Sequence, residues 1–132
     1  MKFNHEKLIV YQRSLEFVKL INEVFDRMER TSIDAIDQLD RASTSIPLNI
    51  AEGTGKYTGK DKCRFYDIAR GSSLECAACL DVLYIREKIP KELVEKGKDI
   101  SVEIVSMLVG LIKSNSDRVY EDKVNYEPDK NV

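Results

Sequence analysis

With 132 residues, the chain suits a single domain built on one core. Apolar residues make up 42% and charged residues 33%, which excludes wholesale disorder, and no apolar run approaches the ~18–20 residues of a membrane span. A formal net charge of −2 excludes a polycation drawn to phosphate along its whole length, and with no signal-peptide pattern at the start a cytoplasmic location is expected.

Asn4 is placed to cap a first helix over residues 5–29. Its apolar positions (Leu8, Tyr11, Leu15, Phe17, Val18, Leu20, Ile21, Val24, Phe25 and Met28) cover an arc of roughly 220° at 3.6 residues per turn. A surface helix needs a stripe of only about 100° for its own core, so the surplus predicts burial against other copies of the chain.

Thr31 and Ser32 read as the start of a second helix running to Glu52, with Asp34 and Asp37 favouring its positive end. Ile36, Leu39, Ala42, Ser43, Ile46 and Ile50 form its inward stripe. Pro47 lacks an N–H and crowds the carbonyl of Ser43, so a kink costing up to ~3 kcal/mol is expected. Gly53 and Gly55 are expected to end the helix at positive φ. Arg41, Ser45, Asn49 and Glu52 form a polar ridge beside the stripe, readable as a recognition surface or as hydrogen bonding between helices or subunits.

The following loop resembles a phosphate-binding loop only superficially. Thr54 stands where its first glycine belongs, Asp61 replaces the Ser or Thr after the lysine, and no strand precedes it. Thr58 with Asp61 instead reads as a helix cap. Between Gly53 and Ser72, Lys56, Lys60, Lys62, Arg64 and Arg70 outnumber Asp61 and Asp67, giving a local basic patch in an otherwise acidic chain. These five cations, with Tyr57 for base stacking, are the candidate nucleic-acid contacts; the plainer reading is a solvated loop and helix start.

A third helix is predicted over residues 59–88, with Phe65, Ile68, Ala69, Ser72, Cys76, Cys79, Leu80 and Leu83 inward. Gly71, Ser72, Ala77 and Ala78 are small enough for a neighbouring helix to approach closely. Glu75 falls at the edge of this stripe, where a carboxylate would need donors near Ser45, Asn49 or Arg41. Three cysteines (Cys63, Cys76, Cys79) are too few for a disulfide framework, and the Cys76–Cys79 pair lacks the strand-helix-strand setting of a redox motif. His5 is the only histidine, so neither metal nor cofactor is expected. Pro90 opens a fourth helix ending near Ser114, with Leu93, Ile100, Ile104, Met107, Leu108, Leu111 and Ile112 inward. Residues 1–115 thus read as one antiparallel up-down four-helix bundle, all-α, and residues 116–132 as a polar, mobile tail.

Two motifs, Ser45-Ile46-Pro47-Leu48-Asn49-Ile50-Ala51-Glu52-Gly53 and Ile68-Ala69-Arg70-Gly71-Ser72-Ser73-Leu74-Glu75, resemble the bacterial four-helix-bundle family of the 23S rRNA intervening-sequence proteins. The accessory variability determinant proteins of diversity-generating retroelements are similar, though far more basic. The resemblance implies subunits assembled into a ring-like homopentamer, and Arg41, Ser45, Pro47, Asn49, Glu52, Gly53, Gly71, Ser72 and Glu75 as its structural motif.

Catalysis is not expected. Di-iron bundles need paired Glu-x-x-His motifs, and ribonucleases using an Arg-His pair need a histidine after an arginine, whereas His5 precedes every arginine. The favoured function is a non-enzymatic scaffold whose basic rim engages RNA, DNA or a partner such as a reverse transcriptase. The alternative is a protein–protein interaction module without nucleic-acid contact, which the net charge of −2 favours.

Overall fold

The computed structural model describes residues 2–28 and 34–116. A single 3-10 turn, Asn4–Lys7, leads into α1 (Ile9–Arg27), followed by α2 (Asp34–Thr54), α3 (Gly59–Ile85) and α4 (Lys91–Asn115). Each helix packs antiparallel on two neighbours, in the cyclic order α1–α2–α3–α4, and among the described residues the diagonal pairs make no close backbone approach. One end therefore gathers the 3-10 turn, the end of α2, the start of α3 and the end of α4.

The core is filled from all four helices by Phe17, Ile21, Leu39, Ile46, Ile50, Leu80, Leu83, Ile104 and Leu108, each essentially inaccessible to solvent. Burying a side chain of this size contributes about 1.5–3 kcal/mol. Buried hydroxyls are absorbed locally: Ser14 donates to the Tyr11 carbonyl and Ser73 to that of Ala69, while Ser101 reaches across from α4 to the Ser73 carbonyl at 2.9 Å. Among the described residues no buried side-chain nitrogen or oxygen lacks a partner.

Several boundaries differ from the sequence reading. The first helix is broken at Leu8, whose extended backbone separates the 3-10 turn from α1. Asn4 lies inside that turn, and the carboxylate of Glu6 accepts from the Phe3 N–H at 2.7 Å. The Thr31–Ser32 start lies outside the described residues, as do residues 117–132 of the tail. Pro90 is the cap of α4 rather than its first residue. The helix passes through Pro47, which is buried, and continues to Thr54.

Gly53 does not end α2 at positive φ; no described glycine has one. It is a close-approach residue, since a Cβ there would come within 2.9 Å of the Phe65 Cβ and 3.1 Å of the Lys62 carbonyl oxygen. The left-handed position is Glu87 (φ 59°), where the Lys88 N–H donates to the Leu83 carbonyl and closes α3.

The inward face of α3 is also rotated from expectation. Cys63, Tyr66 and Ser73 are buried, Phe65 and Ser72 are half-buried, and Ile68 is 46% exposed. The outward face carries Ile68, Gly71, Glu75, Ala78, Val82 and Ile85, spaced three and four residues apart along the helix. On α1 most of the broad apolar arc is used within the subunit, leaving Ile9 and Leu15 exposed.

Candidate nucleic-acid interface

The basic patch is built where α2 ends and α3 begins. Thr54 is its hub: its hydroxyl donates to the Ile50 carbonyl at 2.7 Å, and its oxygen lies 2.8 Å from the Tyr66 hydroxyl. Lys62 Nζ donates to the Thr54 carbonyl at 2.9 Å, satisfying an acceptor that the helix end leaves open. Thr58 caps α3 as expected, its side chain accepting from the Asp61 N–H at 3.1 Å. Burial pushes the Tyr66 hydroxyl above the usual phenol range, so it stays neutral.

Two of the cations are gathered on one aromatic ring, and a second ring stands open. Lys56 Nζ and Arg64 Cζ lie 5.1 and 5.2 Å from the centroid of the half-buried Phe65 ring, contacts that hold both side chains beside the turn. Tyr57 stands between them in sequence and is fully exposed, at 101%. Lys60 is exposed in the first turn of α3. Among the described residues, Lys56, Lys60, Lys62 and Arg64 have no carboxylate partner. Arg70 stands apart: it lies six residues, about 9 Å of helix rise, beyond Arg64 and pairs with Asp67 at 3.7 Å.

The motif residues divide into an inner and an outer set. Ser72 Oγ donates to Ser45 Oγ at 2.9 Å, joining α3 to α2, while Asn49 Nδ2 donates within α2 to both the Ser45 carbonyl and Ser45 Oγ. Within the polar ridge, hydrogen bonding between helices runs through Ser45, and Asn49 supports it from within α2. Arg41 and Glu52 are exposed, and so is Glu75, which needs no buried donors. Around Gly71 a Cβ would find nothing within 4 Å, so within the subunit no helix approaches it. Arg41, Leu48 and Glu52 on α2 and Ile68 and Glu75 on α3 lie one or two turns from the Ser45–Ser72 contact, forming one outward face. The sequence reading missed this face, although the three-and-four spacing from Ile68 to Ile85 carried its signal.

The other candidate chemistry is packed away. Cys76 is fully buried, its thiol pushed up to about 12, and burial raises Cys79 as well, so neither is a thiolate near neutrality. His5 stacks on Phe3 and meets Tyr11 edge-on, with ring centroids 5.6 and 4.7 Å away. Two open clefts, one at Tyr84–Pro90 and one between Lys7–Val10 and Met107–Leu111, include none of the patch cations in their lining. Among the described residues no cluster of His, Cys, Asp and Glu has the geometry of a metal site, and no helix is long and apolar enough to cross a membrane.

Residues 6–110 match the protein family described as 23S rRNA-intervening sequence protein. A crystal structure of a protein with unknown function from the S23 ribosomal protein family, from Bacteroides thetaiotaomicron VPI-5482, is 29% identical, with a TM-score of 0.74. The match covers 80% of this chain and 99% of that one. No curated protein matches the chain.

Proposed function

We propose that this chain, which belongs to the 23S rRNA-intervening sequence protein family, is a non-catalytic homopentameric scaffold. Its basic end engages RNA, DNA or a nucleic-acid-handling partner such as a reverse transcriptase. The observation that carries this reading is the concentration of Lys56, Lys60, Lys62 and Arg64 in and just after the α2–α3 turn that also carries the fully exposed Tyr57, with no carboxylate partner among the described residues. Such a cluster neutralises phosphates and releases their counterions, while an open aromatic ring offers a face to an unpaired base. Closed assembly would repeat the patch once per subunit, so a mildly acidic chain could present a positive rim.

Self-assembly is supported by the outward stripe of α3, where Ile68, Val82 and Ile85 are 46%, 41% and 78% exposed around the small residues Gly71 and Ala78. Sedimentation of the pure protein at micromolar concentration is expected to give an assembly of about five chains. A well-folded single chain at that concentration would remove the rim along with the ring.

Direct binding is tested by fluorescence anisotropy with a labelled single-stranded oligonucleotide over a range of salt. Four phosphate contacts predict log K falling against log salt with a slope of about −3. Changing Lys56, Lys60, Lys62 and Arg64 together to Ala is expected to abolish most of that slope and weaken binding at least ~10-fold at low salt. No binding by the wild type, or equal binding by both, would favour a protein–protein interaction module, the reading supported by the net charge of −2.

A further inference from the structure

The 3-10 turn before α1 shares an end of the bundle with the basic turn and packs on both α1 and α2. Phe3, the residue just before it, takes no part in the core and is 64% exposed. Its ring is nevertheless ordered. It lies nearly parallel to His5, at 8° with centroids 5.6 Å apart, and His5 meets the half-buried Tyr11 ring edge-on at 4.7 Å. The backbone beneath is fixed as well: the Glu6 carboxylate accepts from the Phe3 N–H at 2.7 Å, and Gln12 Nε2 donates to the Glu6 carbonyl at 3.0 Å. Lys2 and Lys7 bracket the turn, both exposed, and neither has a carboxylate partner among the described residues. The pattern repeats that of the basic turn, where the exposed Tyr57 ring stands between Lys56 and Lys60 in sequence.

We infer that Phe3 is a second base-stacking platform, taking an unpaired base of a single-stranded nucleic acid on the ring face turned away from His5, while Lys2 and Lys7 take the neighbouring phosphates. This role rests on the nucleic-acid reading above and narrows its ligand to a single strand, because bases inside a duplex have no free face to offer. Neighbouring helix axes stand about 8–10 Å apart, so a strand crossing this end of the bundle passes both Tyr57 and Phe3. A ring already stacked on one side loses little freedom when a base adds to the other. The two cations decide between occupants: lysine is depleted where protein meets protein, whereas lysine beside an open ring suits a phosphate chain carrying bases.

Two fluorescent probes of equal length test the role in the full-length protein: the single-stranded oligonucleotide, and its abasic counterpart with the same phosphates and no bases. On the first, F3A is expected to bind on the order of 5- to 100-fold more weakly than wild type, with the slope of log K against log salt unchanged. F3W, which keeps a stacking ring, is expected to restore binding. On the abasic probe wild type and F3A are expected to bind alike, an equality that a merely structural effect of the substitution would not produce. K2A/K7A is expected to reduce the salt slope by about 1.4 on both probes. Equal binding of the base-bearing probe by wild type and F3A overturns the platform, as does an equal loss on both probes. If wild type and F3A bind alike while replacement of Lys56, Lys60, Lys62 and Arg64 abolishes binding, the platform falls and the nucleic-acid reading stands; if wild type binds neither probe, both fall.

Discussion

Gly59→Ala is expected to destabilise the protein by about 2–3 kcal/mol and to lower its thermal midpoint by on the order of 10 °C. In the first turn of a helix this exchange ordinarily adds about 0.5–1 kcal/mol of stability, because alanine restricts the unfolded chain and favours helix. Here the new methyl would stand 2.1 Å from the carbonyl oxygen of Asn115 and 3.1 Å from its carbon. Both obstacles are backbone, so no side-chain rotation relieves them. The start of α3 and the end of α4 must part, straining the contact of Cys63 Sγ with the Ile112 carbonyl, 3.5 Å apart one turn further in. Gly110→Ala is the matched control. A Cβ there meets nothing within 4 Å, and a small gain in stability is expected. Thermal unfolding of the two variants at one protein concentration checks the pair; equal and opposite results from those expected would refute the close contact.

Phe17→Ala has the largest expected cost of any single truncation, about 3–5 kcal/mol. The ring is fully buried, the largest side chain among the described residues to be so, and it sits midway along α1 between Ser14 and Ile21 on the inward stripe. Its removal forfeits the transfer free energy of the ring and leaves a void that neighbours anchored on three other helices cannot fill. Against a typical total of about 5–15 kcal/mol, that loss takes a third or more of the stability. The urea midpoint is expected to fall with the slope unchanged. A midpoint within experimental error of wild type would mean that α1 is not packed as described.

Helix number, order and approximate bounds were legible because apolar residues recur at three and four over long runs bounded by breakers. The stripe on α2 (Leu39, Ala42, Ser43, Ile46 and Ile50) is the buried one, and Thr58 is the cap it resembles. The face of α3 was not legible in the same way. That helix has apolar residues nearly all round, so periodicity alone does not say which arc meets the subunit's own core, and Ile68 and Cys63 exchange places between expectation and structure. Gly53 was misread because glycine's freedom at positive φ and its lack of a side chain leave the same mark in a sequence. Glu75 was assigned donors on the premise of burial, which its exposure removes. At the patch, composition identified the cations but not their spacing. Phe65 gathers Lys56 and Arg64 onto one ring, and the pairing of Arg70 with Asp67 sets that residue aside.

The turn carrying Tyr57 is clamped before any ligand arrives, by the Thr54 hydroxyl on Ile50, by Lys62 on the Thr54 carbonyl and by the snug seat of Gly53 against Phe65. A ligand docking there freezes few backbone torsions on the protein side, and most of the ordering falls on the ligand itself. Under the proposed reading, recognition at such a pre-ordered knuckle favours partners that are themselves supple enough to mould around it.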